Sequence, residues 1–488
     1  MTMNLHTILK SVEKPGRYTG GEWGQTIKDK NTVDVRFAFC FPDNYEIGMS
    51  NLGIRILYGV LNNEENVWCE RAYAPWPDME EKMREYGIPL YAHESGDPLS
   101  DFDIVGFTLQ YELCYTNVLN MLELGGIPLL ASERGENDPI IIGGGPCAYN
   151  AEPIADFFDV LDIGEGEEML PRFTRMYAKM KREGASRAEI LRATSHLDGF
   201  YVPALYEVEY GADGTISSFE PKYDDIPRTV QKQIIADLDS VYFPDKFVMP
   251  YIETVHDRIV PEVYRGCIRG CRFCQAGMIY RPVREKSPDV LDAQCRRLYE
   301  NTGFDEISLC SLSISDYSRL GELTDKLLSW TDDKKVSLSL PSLRVDSFTK
   351  ELMEKISTVR TSGITFAPEA GTQRMRDVIN KNVHEEELLR ACANAFECGK
   401  NQVKLYFMDG LPTETREDVE GIAKLAKTVV DSYYSNPNVK RGKSPQVTIS
   451  VACFIPKPFT PFQWEAQDTI EMLEEKQHWL REAITDRK

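Results

Sequence analysis

No apolar run in this 488-residue chain reaches the roughly 18 to 20 residues that a bilayer-spanning helix needs. The N-terminus, Met-Thr-Met-Asn-Leu-His, shows no basic stretch followed by an apolar one, so no secretory leader is expected and the cytoplasm is the expected compartment. A basic excess is missing as well: 56 Lys and Arg stand against 77 Asp and Glu, a formal charge of −21. Neutralising a phosphate backbone takes clustered Lys and Arg, which argues against a broad nucleic-acid surface. Nor is there a disulfide framework, because the twelve cysteines are mostly scattered along a long chain.

Three cysteines break the scatter. Residues 264 to 274 read YRGCIRGCRFC and set Cys267, Cys271 and Cys274 in a C-x3-C-x2-C arrangement. One loop can wrap three thiolates at this spacing around a single metal centre. A [4Fe-4S] cluster is normally held by four cysteines, so three leave one iron open to a further ligand. A zinc knuckle or three buried structural thiols are the competing readings. Zinc wants a fourth ligand, and the nearest preceding histidine, His256, lies eleven residues before Cys267. Cys392 and Cys398, six apart on a helical stretch, are poor geometry for a second cluster.

A chain of this length calls for two or three domains. Residues 1–32 carry turn formers and read as an N-terminal extension with one short helix. Over 33–183, short apolar strands at 33–41, 67–74, 103–109, 139–142 and 157–163 alternate with amphipathic helical stretches, the pattern of a parallel sheet with helices on both faces. Residues 184–259 read as a connector with a β-hairpin, 200–209 and 216–223, around a Gly-containing loop. Over 260–488 the alternation returns, with strands just before the cysteines and at 306–310, 336–340, 363–367, 402–408 and 446–454.

In open α/β sheets and barrels, ligands gather at the carboxyl ends of the strands. In the first domain those ends carry residues 43–48, Thr108 and Gln110, Gly143, Gly144 and Gly145, and Glu165. In the second they carry Ser313, Asp316, Arg344, Glu369, Gly371, Arg374 and the run GLPTET at 410–415.

The cysteine spacing, with Phe273 just before the third cysteine, resembles the signature of the radical S-adenosylmethionine (SAM) superfamily. That resemblance implies a partial (β/α)6 barrel over 260–488, with Cys267, Cys271 and Cys274 as the metal ligands of a catalytic [4Fe-4S] cluster. SAM would chelate the open iron and be cleaved to a 5′-deoxyadenosyl radical. Arg344 or Arg374 would meet its carboxylate, Glu369 and Ser313 its ribose or amino group, and Phe273 and Gly371 would border it. The GLPTET run resembles a segment of the radical SAM methylthiotransferases.

The first domain resembles flavodoxin-like (Rossmann-type) cobalamin-binding domains, whose pattern is D-x-H-x-x-G after the first strand, Ser or Thr after the third and Gly-Gly after the fourth. Here Tyr45 stands where that pattern has histidine. Cobalamin would then bind with its own base displaced and without a histidine ligand. Glu165, in the GEGE stretch at 164–167, would border the cofactor. The stretches PDNYEIGMSNLG (42–53), GFTLQYELCYTNVLNML (106–122), YRGCIRGCRFCQAG (264–277) and FIPKPFTPFQW (454–464) resemble an uncharacterised bacterial group of cobalamin-binding radical SAM proteins, whose members often carry a further C-terminal region.

The implied activity is that of a transferase: one SAM methylates reduced cobalamin, a second yields the radical, and the methyl group goes to an unactivated carbon or phosphorus. Methylthiolation or another radical rearrangement is the alternative among enzymes, and a non-catalytic redox or cobalamin sensor the alternative outside them. Arg265, Arg269, Arg272, Arg281, Arg284 and Lys286 form a dense basic stretch. It could draw a reductant such as flavodoxin or ferredoxin, or an anionic substrate, or it could anchor the cysteine loop. The substrate is not written in the sequence, because the cofactors do the chemistry and pocket shape selects the target.

Overall fold

The structure, a computed structural model, describes residues 5–341, 364–440, 442 and 444–485. The chain divides into two compact units, Met1–Asp257 with Arg297–Gly303, and Arg258–Arg296 with Phe304–Lys488.

The first unit is built on β1 (Val35–Phe41), β2 (Val67–Tyr73), β3 (Ile104–Thr108), β4 (Ile140–Gly144), β5 (Val160–Asp162) and β6 (Phe200–Tyr201). They lie in the order β2-β1-β3-β4-β5-β6, parallel except for β6. The order 2-1-3-4-5 is that of flavodoxin-like doubly wound sheets. Every residue of β1 and β2 is buried, as parallel strands covered on both faces require. Helices Leu52–Asn63 and Gly166–Arg182 cover one face, where Phe173 of the second helix joins Phe37 and Phe39 in one core cluster, and Tyr115–Leu124 and Pro77–Tyr86 cover the other, where Met121 of the former joins Phe107.

One expectation changes here. Phe200 and Tyr201 do not belong to a hairpin but pair antiparallel with β5, because both are buried and Phe200 packs on Phe173. The hairpin is β7 (Tyr206–Tyr210) with β8 (Ile216–Pro221). The described part of the N-terminal extension, residues 5–32, opens with the short helix Leu5–Leu9 and packs on this unit: Ile8 is buried, and Lys28 donates to the carbonyls of Asn62, Glu64 and Val67 at 2.6 to 2.8 Å.

In the second unit, β9 (Tyr264–Arg265) pairs antiparallel with β10 (Arg284–Glu285). Residues 259 and 262 bridge in parallel to 307 and 310, extending the parallel pair β11 (Glu306–Ser308) and β12 (Ser337–Ser339). A second parallel arc consists of β13 (Ile364–Glu369), β14 (Gln402–Asp409) and β15 (Gln446–Cys453). Beside the β9–β10 pair, the described residues thus show six parallel strand positions in two arcs of three, with helices Glu385–Glu397 and Arg416–Ser435 packed on the second arc. The β13 ladder shifts register between Phe366 and Glu369, and Glu369 has φ 69°. Such bulges re-aim side chains near functional sites.

The amino edge of the first sheet is pinned by one carboxylate. Asp159, just before β5, meets Arg134 at 2.9 Å and Arg187 at 2.7 Å and accepts from the Ile141 amide at 2.7 Å. All of this is shielded from water, so removing the carboxylate strands two cations. Asp159→Ala is expected to lower the unfolding free energy by about 3–5 kcal/mol in urea melts of the metal-free chain, with Asp159→Asn losing less.

Candidate functional site

A loop leaves β9, carries the three cysteines and returns along β10. Gly266 opens it with φ 89°, where a Cβ would sit 2.8 Å from the Pro282 carbonyl oxygen. The Arg269 amide points at Cys267 Sγ (3.4 Å) and the Gly277 amide at Cys274 Sγ (3.3 Å), donors suited to a thiolate. Having little secondary structure of its own, the loop gives its carbonyls to side chains. Arg281 donates to the oxygens of Cys267 and Arg269, and Asn380 to that of Gly270 at 2.8 Å. Arg269 in turn forks onto both oxygens of Asp316, which also accepts from Ser313 Oγ at 2.8 Å.

These contacts show what the basic stretch does. Arg265 pairs with Glu262, Arg269 with Asp316, and Arg272 and Arg281 hold backbone oxygens, so the anchoring role is the one the geometry displays.

Cys267, Cys271 and Cys274 line one cavity of about 380 Å3, within the roughly 300–1,000 Å3 of small-molecule sites. Among the described residues, no three His, Cys, Asp or Glu side chains are gathered as a single metal ion would need. The three cysteines line the rim of this space. Phe273, Ser313 and Glu369 line the same space, as expected. So do Lys381 and Tyr406, which sequence reasoning passed over. Lys381 donates to Glu369 at 3.1 Å and sits between Asn380 and Asn382, both with positive φ. That Asn-Lys-Asn turn was the available signal, since Asn tolerates the left-handed region.

Other expected residues lie elsewhere. Arg374 is not in the lining: it pairs with Asp418 and donates to the Thr413 carbonyl at 2.9 Å, closing the first turn of helix Arg416–Ser435. Gly371 is a glycine because a Cβ would lie 2.2 Å from the Ile422 amide of that helix. Arg344 falls outside the described residues. In the GLPTET run, Glu414 accepts from the Gly410 amide at 2.7 Å and pairs with Lys476 at 3.0 Å, a buried structural role. Cys392 is buried in the apolar core beside helix Arg416–Ser435.

In the first unit the carboxyl edge is less open than its motif implies. Tyr45 is 1% exposed, donates to Glu22 at 2.8 Å and stacks on His93. It faces the interior because a buried carboxylate there needs a donor. Glu165 holds the connector by accepting from the Ile235 amide at 2.6 Å. Gly143 and Gly145 have packing reasons to be glycine: a Cβ would meet the Phe158 ring at 2.7 Å and the Leu109 carbonyl oxygen at 2.9 Å. Gly144 alone of the three has ordinary room, bordered by Asp162. Thr108 accepts from Gln110 beside it, and Tyr111 and Leu113 of the next turn are exposed, Leu113 by 84%. Asp162 is buried with Oδ1 lacking a hydrogen-bond partner, and burial together with the Glu167 charge holds its carboxyl up at about 7.

A family model described as "Radical SAM proteins, N-terminal" matches residues 53–203, and one described as "Radical SAM superfamily" matches residues 262–426. An uncharacterised protein of Methanocaldococcus jannaschii is 29% identical over 437 residues, 88% of this chain and 80% of that one. The solved structure of TsrM, a radical SAM methyltransferase from Kitasatospora setae with cobalamin and a [4Fe-4S] cluster bound, matches with TM-score 0.54 at 13% identity over 90% of this chain and 78% of that one. The cobalamin-dependent SAM radical enzyme OxsB, with aqua-cobalamin and SAM bound, matches with TM-score 0.50 at 13% identity over 92% of this chain and 56% of that one. At those identities the likeness is one of fold. No helix of the described residues is long and apolar enough to cross a membrane. The second matched stretch contains the cysteine loop with Glu369 and Lys381, and on that ground the chain is a radical SAM enzyme, similar in fold to cobalamin-dependent radical SAM methyltransferases.

Proposed function

We propose that the chain holds a [4Fe-4S] cluster on Cys267, Cys271 and Cys274, cleaves SAM in the adjoining cavity, and uses cobalamin at the carboxyl edge of the first sheet to methylate an unactivated carbon or phosphorus. The observation that carries this is the opening of three thiols from one loop onto the same cavity as the Lys381–Glu369 pair. When bound, the cluster supplies the electron that cleaves SAM to a 5′-deoxyadenosyl radical, and cobalamin supplies the methyl group in transit.

The chain's own residues bind and orient. Lys381 takes the place of Arg374 as a cation offered to the SAM carboxylate, with Arg344 still a candidate as well, and Glu369 faces the amino group or ribose. Ser313, which lines the cavity and donates to Asp316, is held in place to meet the ribose or amino group beside Glu369. Leu312, Phe273 and Tyr406 give the cavity apolar surface. On the first sheet, Thr108, Gln110 and Gly144 with Asp162 remain the polar surface for a ligand rich in amides. An electron donor such as flavodoxin or ferredoxin completes the set of partners.

Anaerobic reconstitution with iron and sulfide is expected to load about four irons per chain, with one cobalamin taken up from added hydroxocobalamin. Cys267→Ala should abolish 5′-deoxyadenosine formation and leave cobalamin uptake intact; continued formation by that variant would overturn the ligand assignment. Lys381→Met should raise the SAM concentration for half-maximal turnover about ten-fold, the loss of one charge-assisted hydrogen bond, at unchanged iron content.

Asp162 gives a pH test. Its folded carboxyl, near 7, lies above the ordinary 3.8, so its contribution to stability is complete below about pH 4 and lost as pH rises through 7. The melting temperature of Asp162→Asn relative to the parent should therefore rise between pH 4.5 and pH 8. A constant difference across that range would show that the carboxyl ionises normally.

A further inference from the structure

Helix Leu52–Asn63 and residues 242–248 enclose another cavity within the first unit, of about 130 Å3, that shares no lining residue with the cysteine cavity. Gly59 shapes the surrounding wall: a Cβ there would lie 2.2 Å from the Tyr242 hydroxyl. Tyr58, Tyr73 and Phe247 give aromatic surface, and two arginines reach the space.

The arginines differ in their partners. Arg71 is matched by Glu22 at 2.9 Å and Glu94 at 2.6 Å. Arg55 has no ion pair among the described residues. Its Nε donates to the Met49 carbonyl at 2.8 Å, Nη2 donates to the same oxygen, and the guanidinium lies 4.4 Å over the Phe247 ring. A guanidinium has five N–H donors, and here a single acceptor serves two of them. Burial works against the charge and pulls the Arg55 side chain down to about 10, with Tyr73 and Asp257 opposing only part of that. Arg55 is half-buried, and a cation partly withdrawn from water without an anion carries a cost that an anion entering the cavity would lift.

Size and surface narrow the ligand. An apolar cavity of about 150 Å3 holds benzene, so this space suits a body of about six heavy atoms. Tyr58 accepts from the Thr26 amide at 2.7 Å, which leaves its hydroxyl proton to donate. Lys246, exposed, also lines the cavity and adds a positive charge toward solvent. A phosphate dianion would call for several more donors and would waste the aromatic walls. We propose that this cavity binds a small monocarboxylate with a flat or branched apolar body, its carboxylate on Arg55 and its body against Phe247 and Tyr58. The site is independent of the cluster.

The test is calorimetric titration of the full chain with isobutyrate and benzoate, their neutral amides isobutyramide and benzamide, and inorganic phosphate. The expected result is saturable binding of a carboxylate at least ten-fold tighter than its amide. Arg55→Met, which keeps the contact with Phe247, should weaken it at least ten-fold, and Lys246→Glu at the exposed end several-fold with folding untouched. Circular dichroism of both variants checks the fold, and Cys267→Ala should bind the carboxylate like the parent. Absence of saturable carboxylate binding, equal affinity for acid and amide, tighter binding of phosphate, or unchanged affinity in both variants would each overturn the proposal.

Discussion

A loop that must aim three sulfurs at one space cannot also satisfy its own backbone, and the second unit is organised around that conflict. A helix or ladder would tie off the carbonyls but scatter the cysteine side chains. The loop between β9 and β10 instead exports its carbonyls: Arg281, Asn380 and the Phe462 amide take up the oxygens of Cys267, Arg269, Gly270 and Arg272. Asp316 fixes the far side by holding Arg269 and Ser313 at once. Strand ends and the turn at 380–382 therefore hold the loop from outside, and its geometry is only as good as theirs.

The same region carries unusual backbone. Glu369, Asn380 and Asn382 all have positive φ, and Glu369 sits on the register shift of β13. Non-glycine residues in that region cost of order 1–3 kcal/mol each and cluster where function over-determines them. Here they bring Glu369 and Lys381 to one point on the rim of the cysteine cavity, a placement that regular strand and helix geometry does not provide.

Much of this was legible from periodicity and spacing. Strand positions in both units followed from short apolar runs, because parallel strands buried on two faces leave an unmistakable pattern, and the cysteine triplet announced itself. What escaped was set by tertiary partners. Phe200 and Tyr201 read as hairpin because their partner, β5, precedes them by some forty residues. Tyr45 read as a ligand-facing residue because Glu22, which captures its hydroxyl, lies in a stretch without periodicity. Gly143, Gly145 and Gly371 read as openings for a cofactor, whereas the neighbours that exclude a side chain there are Phe158, Leu109 and Ile422. Lys381 belongs to no motif, and its role emerges only once the turn places it beside Glu369.

Helix Ile470–Ala483 inserts Lys476 between two acids, Glu414 at 3.0 Å and Asp468 at 2.6 Å. Glu414 in turn holds the Gly410 amide at the end of β14. The end of a central strand is thus fastened by a residue about sixty positions downstream. A polypeptide emerging from the ribosome would have its cysteine loop complete long before that fastening arrives, so the second unit can set the end of β14 only after residue 476 has been made.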